Sequence, residues 1–150
     1  MTAPLQGITA QTVYYEDMQI GQTESFTHQV SESDIAAFAD LTGDHNPVHI
    51  DKAYGESSRF GSNIAHGLYT ASLFSAILGM RLPGPGAIYV SQTLQFKAPV
   101  RPGDAVTVSA TVKAKEDKGR RVTLDCCAEV DGVVVLSGEA TVMAVRKPKD

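Results

Sequence analysis

"HGLYTASLFSAILGM", residues 66–80, decides how the rest of the chain must fold. Leu68, Leu73, Phe74, Ile77 and Leu78 recur at helical spacing, and residues 67–80 contain no Asp, Glu, Lys or Arg. A helix with so little polar surface has to be wrapped by protein on most sides. It is too short and too interrupted to cross a bilayer, which takes about 20 apolar residues. The remaining sequence must therefore supply a cover.

The C-terminal half supplies it. "AIYVSQTLQFKAPV" (87–100) is rich in strand formers and ends at Pro99. "DAVTVSATVKAKE" (104–116) alternates apolar and polar residues with period two, the mark of a half-buried strand. "RRVTLDCCAEV" follows an "EDKG" turn, and Asp131-Gly132 signals a tight hairpin before "VVVLSGEATVMAV". An earlier strand is expected at Glu24–Val30, after the turn-like Gly21. The fold class that follows is α+β: an antiparallel sheet curled around one long central helix.

A first helix is well marked in "SESDIAAFADLTG" (31–43). Ser31 is a good N-cap, Asp34 sits at the capping-box position, and Gly43 is a natural stop. Ile35, Phe38 and Ala39 share one face. Residues 44–65 then form a long connection. In a compact domain, such a loop is usually functional or carries short structure of its own.

Bulk composition narrows the function. The 150 residues read as a single domain, 1–150, with 43% hydrophobic and 20% charged residues. A net charge of −4 argues against a nucleic-acid surface, which needs a concentrated basic face. Cys126 and Cys127 are neighbours on an expected strand and point to opposite faces, so they read as free thiols of a reducing compartment rather than a disulfide. The N-terminus has no basic start and no apolar run, which leads us to expect a cytoplasmic protein with no membrane partner.

The chemistry concentrates in "LTGDHNPVHIDKAY" (41–54). Were residues 44–49 extended, Asp44 and His49 would stand about 17 Å apart. Pro47 fixes its own φ and drives Asn46 out of the helical region. The first helix must end before it and the chain must bend, a bend that Asn46 can stabilise with its own side chain. Folded back, Asp44 and His49 could hold one water between them and move its protons. By residue type alone, two readings stay open: a polar turn with a surface histidine, or an acid–base pair. His45 reads as an exposed residue with no role. His45 and His49 are four apart, but across Pro47 they cannot share a helix face, and no metal site is expected.

"FADLTGDHNPVHIDKAY", "GSNIAHGLYTASLFSAILG" and "GAIYVSQTLQFKAPVRPGDAVTV" together resemble the MaoC-like hydratases, (R)-specific enoyl-CoA hydratases of the hot dog fold. The D-x-N-P-x-H spacing is intact at Asp44, Asn46, Pro47 and His49, and the A-H-G start of the central helix stands at Ala65–Gly67. The resemblance implies syn addition of water to a trans-2-enoyl-CoA, giving an (R)-3-hydroxyacyl-CoA. It implies no cofactor or metal, an acyl-CoA thioester as partner, and a homodimer or higher homo-oligomer whose sheets join edge to edge. Asp44 and His49 match the catalytic pair, and Gly67 matches the oxyanion-hole amide. The second role suits a glycine at the start of a buried helix, where N–H groups are unpaired and nothing blocks close approach. Asn46 shapes the loop. Ser75 matches a serine that supports the pair, although a bond back to the Ala71 carbonyl would equally satisfy it. Leu78, on the face of Ser75, is expected to help close the acyl pocket. His66 reads as a structural hydrogen-bonding residue rather than a proton carrier. Lys97, Arg101, Lys113, Lys115, Arg120 and Arg121 are all candidates for the CoA phosphates, with nothing to choose among them. The alternatives are an acyl-CoA thioesterase of the same fold or a non-catalytic acyl-CoA-binding domain. The absence of Asp and Glu from residues 66–80 counts against the first. Intact Asp44 and His49 count against the second.

Overall fold

The structure, a computed structural model, describes residues 8–149. Strand β1 (Thr23–Gln29) leads into α1 (Glu32–Thr42), followed by two short helices, α2 (Pro47–Ile50) and α3 (Lys52–Ser57), and then the central helix α4 (Gly67–Met80). Strands β2 (Ile88–Gln92), β3 (Gln95–Phe96), β4 (Ala105–Glu116), β5 (Arg121–Val130) and β6 (Val133–Met143) complete the chain. The antiparallel sheet has the order β1-β4-β5-β6-β2, with β3 also paired to β6. None of the described helices is long and apolar enough to cross a membrane.

The period-two pattern of the long strands does what the sequence requires. Val106, Val108, Ala110 and Val112 of β4, with Val122, Leu124 and Ala128 of β5, are almost fully buried. So are Tyr69, Leu73, Phe74, Ile77 and Leu78 of α4, and the two sets form one core. The covering is not complete. Leu68 is 61% exposed, and Ser72, Ser75 and Gly79 follow it on an uncovered face of α4.

The hairpin between β5 and β6 turns at Asp131 and Gly132, both with positive φ (50° and 78°), as a tight two-residue hairpin demands. The stretch 87–100 differs from the single strand expected. It breaks into β2 and β3 at Thr93 and Leu94. The reason lies on β6, where Gly138 has no room for even a Cβ beside the Thr93 carbonyl (1.8 Å). Thr93 there exchanges bonds with Glu139: its N–H donates to the Glu139 carbonyl (2.9 Å), and its hydroxyl accepts from the Glu139 N–H (3.0 Å). In β5, Cys126 is buried and Cys127 half-buried, both free thiols.

The start of α1 is anchored more deeply than a helix cap needs. Ser31 and Asp34 form a reciprocal capping box, yet Asp34 is only 6% exposed. Its Oδ2 also accepts from His28 of β1 (2.9 Å) and from the Tyr69 hydroxyl of α4 (3.3 Å). One carboxylate thus ties sheet, first helix and central helix together. Burial pushes this carboxyl up. The bonds from the Ser31 N–H, the His28 ring and the Ser31 hydroxyl outweigh it and hold the group below its ordinary 3.8. Asp34→Ala should cost about 2–4 kcal/mol in urea unfolding, as a lost cap plus stranded buried partners. Because the folded-state value is lowered, this stability is complete above about pH 4 and lost as pH falls through the folded value. Asp34→Ala should therefore flatten the acid side of the stability–pH curve.

Candidate active site

The loop after α1 is folded by its own side chains. Gly43 ends the helix in the left-handed region (φ 85°), with its N–H on the Ala39 carbonyl. The Thr42 hydroxyl accepts from the Asp44 N–H (3.2 Å), and Asp44 Oδ1 accepts from the Asn46 N–H (3.2 Å). Asn46 then caps α2, its Oδ1 accepting from the Val48 N–H (3.1 Å), with Pro47 in the first helical turn. Proline is favoured there because its missing N–H would be unpaired anyway. The single turn of α2 swings His49 back toward Asp44. A carboxylate oxygen of Asp44 and one ring nitrogen each of His49 and His66 lie within 4.8 Å of one another.

His49 is held from two sides. Its Nδ1 is 2.8 Å from the Ile64 carbonyl, so Nδ1 carries the hydrogen and Nε2 presents a lone pair. Its own carbonyl accepts from the Asn63 amide (2.9 Å), which also donates to Glu32 at the start of α1 (3.1 Å). Asn63 is 3% exposed. The imidazole of His66 stacks on that of His49 with centroids 3.9 Å apart and planes 28° apart. His66 Nε2 lies 2.9 Å from the backbone carbonyl of Asp44. His66 Nδ1 is buried without a partner, a cost of about 1–3 kcal/mol in an ordinary core.

Immediately after His66, Gly67 opens α4. Among the described residues none accepts the Gly67 N–H, as expected for the first turn of a helix. His49 and Gly67 both line a cleft of about 270 Å³, with Thr70, Phe96, Arg59 and Lys97 on its walls. Burial pushes the His49 imidazole below its ordinary 6.5. The Ile64 carbonyl opposes that shift, the neighbouring His66 adds to it, and Asp44 opposes it. The net shift favours the neutral form of this ring, which lines the cleft.

Asp44, His49 and His66 are close enough to suggest a metal, but they do not fit one. A histidine binds a metal in its ring plane at about 2.0–2.1 Å. Two stacked rings with nearly parallel planes cannot both aim a lone pair at one ion. The other nitrogen of each ring is already bonded to a carbonyl.

The structure brings Asp44 beside His49, and His49 and Gly67 to one cleft that Asp44 itself does not line, with Asn46 shaping the turn between Asp44 and His49. It does not bring Ser75 or Leu78 there. They lie eight and eleven residues beyond Gly67, about 12 and 16 Å along the helix axis at 1.5 Å per residue. Ser75 is exposed; Leu78 is buried in the core, and neither lines the cleft. His45 is exposed and pairs with Asp40 (2.9 Å). Of the candidate cations, Lys97 lines the cleft and Arg101 is tied to the Phe60 carbonyl (2.9 Å). Lys113 is paired with Glu139, Lys115 with the Met18 carbonyl, and Arg120 with the Ala144 carbonyl. Sequence reasoning missed Asn63, Arg59, Thr70 and Phe96, whose roles depend on neighbours far away in the chain.

Gly67 is constrained by packing as well as by chemistry. A Cβ there would lie 2.5 Å from the Phe96 ring. That ring is the free end of a half-exposed side chain (55%), so it can swing aside, but only by rearranging the cleft wall. Gly67→Ala should therefore leave the melting temperature nearly unchanged while lowering kcat/KM at least about tenfold, measured on the hydration of crotonyl-CoA.

Comparison with known proteins shows the family. The MaoC-like domain model matches residues 16–132. A 3-hydroxybutyryl-CoA dehydratase of Methylorubrum extorquens is 50% identical over 135 residues, covering 90% of this chain and 86% of the relative. An (R)-specific enoyl-CoA hydratase of Rhodospirillum rubrum is 50% identical over 130 residues, covering 87% and 90%. Among solved structures, an R-hydratase from Pseudomonas aeruginosa, in its unliganded form, superposes with a TM-score of 0.88 at 39% identity, covering 92% of this chain and 89% of that one. A sheet that wraps one central helix, matched over nearly its whole length to R-hydratases of the hot dog fold, carries the Asp44–His49 loop and the Gly67 helix start; the chain belongs to the MaoC-like family.

Proposed function

We propose that the protein interconverts trans-2-enoyl-CoA and (R)-3-hydroxyacyl-CoA, with Asp44 and His49 sharing one water. The carrying observation is that His49, bonded through Nδ1 so that Nε2 keeps its lone pair, lines the same cleft as Gly67 and has a ring nitrogen within 4.8 Å of the Asp44 carboxylate. In the hydration direction, the pair takes a proton from the water as its oxygen bonds to C3. The electrons of the C2–C3 double bond move toward the thioester carbonyl, whose oxygen gains negative charge. The unpaired Gly67 N–H and the positive end of α4 offset that charge. A proton returned to C2 from the same pair, on the same face, completes a syn addition. Atoms and charge then balance without a metal or redox partner.

Arg59 and Lys97, on the cleft wall, supply positive charge for the CoA phosphates in this reading. The homologues named above act on acyl-CoA, which supports that choice of carrier. We also assign the protein a homodimer. Its support is the outer edge of β2, the end of the strand order, which carries the exposed apolar side chains Ile88, Tyr89 and Val90. Such an edge needs covering.

Crotonyl-CoA is the direct test. The enoyl absorbance should fall with no free thiol released and an (R)-3-hydroxy product formed. Thiol release would identify a thioesterase instead, and tight binding without turnover an acyl-CoA-binding domain. Asp44→Asn and His49→Ala should each lower kcat by about 10²–10⁴-fold with unchanged circular dichroism; full activity in either would sink the mechanism. Because burial lowers the His49 value, the ring stays neutral to lower pH than a free imidazole would. The acid limb of the kcat/KM profile should accordingly fall below the ordinary 6.5, and a limb at or above that value would contradict this environment for His49.

A further inference from the structure

We propose that His66 is a positioning residue for the acid–base pair: its one imidazole fixes the backbone of Asp44 by a hydrogen bond and the ring of His49 by stacking. The proposal rests on the reading of Asp44 and His49 as the working pair, and it concerns a residue that touches neither water nor substrate in that reading.

His66 contacts all three parts of the site. Its Nε2–H donates to the Asp44 carbonyl (2.9 Å). Its ring lies 3.9 Å from that of His49 and 4.9 Å from that of Phe38 on α1. Its carbonyl accepts the N–H groups of Tyr69 (3.1 Å) and Thr70 (3.3 Å), which starts α4 directly behind Gly67. Tyr69 in turn meets Phe38 edge-on at 5.9 Å. Movement of the His66 ring would therefore displace the loop carbonyl, the His49 ring and the helix start together.

The choice of residue is poor for a helix start and for a core. Ser, Thr, Asp or Asn is preferred at an N-cap because each bonds to the first turn. His66 occupies the N-cap and makes no such bond. It is 3% exposed and leaves its Nδ1 without a partner. Phenylalanine would stack without a stranded nitrogen, and glutamine would donate to the carbonyl without a ring. Only a flat ring carrying an N–H in its plane does both, and both are done here to residues of the pair.

The second consequence concerns the proton on His49. The charged or titratable groups near it are Asp44 from the loop after α1, His66 from the cap of α4, and Arg59 and Lys97 from the cleft walls. His66 covers one face of the His49 ring and keeps water from solvating an imidazolium there. Removing the ring opens that face and should let His49 hold a proton to higher pH.

Two variants separate the two contacts. His66→Gln keeps a donor and removes the ring; His66→Phe keeps the ring and removes the donor. Each should lower kcat for crotonyl-CoA hydration by about 10²-fold, the scale of an ångström-sized misplacement, with KM changed by less than about threefold. In His66→Gln, the His49 titration midpoint, followed by ¹H–¹⁵N NMR of its ring nitrogens without substrate, should rise relative to wild type. A lower melting temperature together with wild-type kcat and an unmoved His49 midpoint would overturn the proposal and leave His66 a structural residue. The NMR titration needs no activity. A wild-type protein that does not hydrate crotonyl-CoA would thus count against the proposed function, while an unmoved midpoint counts against His66 alone. If one variant fails to fold, the other still decides by its kcat.

Discussion

A fourteen-residue helix without one charged side chain, rich in large apolar ones, cannot rest on a surface, and the burial of its apolar side in the curved sheet is the constraint from which the site follows. Hydrophobic contact holds α4 along one side, with Phe74 and Ile77 fully buried. Packing cannot satisfy the N–H groups of the first turn, which lie beyond the reach of the helix's own carbonyls. The His66 carbonyl takes those of Tyr69 and Thr70, while Gly67, the first residue of the helix, lines the cleft. The helix that makes the core therefore begins with an unpaired amide where, in the proposed reaction, a polarised carbonyl could use it.

The same burial explains which features were readable from sequence. Ser31, Asp34 and Gly43 bound α1 as their residue types predict. Asn46 and Pro47 build the bend between Asp44 and His49, and Asp131-Gly132 makes the hairpin. Each acts on residues one to four positions away, so the sequence pattern contains the whole interaction. Asn63 is different. Its partners are His49 and Glu32, 14 and 31 residues away, and a lone Asn in a polar connection carries no mark of them. The break between β2 and β3 is equally invisible in "AIYVSQTLQFKAPV", because it is imposed by Gly138 across the sheet.

Ser75 and Leu78 lie farther along α4 than the cleft beside Gly67 extends. Both sit on α4, and helix spacing correctly places them near one another. The same spacing puts them two to three turns from Gly67, one facing solvent and the other the core. Periodicity states which residues share a face; it does not state how far down the helix a cleft extends. Asp44 and His49, by contrast, are brought near one another by the residues between them, whose side chains fold the loop back.

The two members of the pair are placed in unequal surroundings, and that inequality suits a shared water. Asp44 is exposed at the end of a helix-terminating turn, while His49 is half-buried, stacked on His66 and pinned through Nδ1 to Ile64. Water can reach the carboxylate from solvent. The imidazole cannot easily turn away, because rotating it would strand the Ile64 carbonyl and break the stack. In the proposed reaction, the imidazole beside the cleft and the solvent-exposed carboxylate would hold the water between them. In the same reading the thioester would lie against Gly67 and Phe96, which line that cleft together. The proposed reaction thus draws on three elements that the fold holds for separate reasons: a proline-started turn, a stacked ring and the bare first residue of a buried helix.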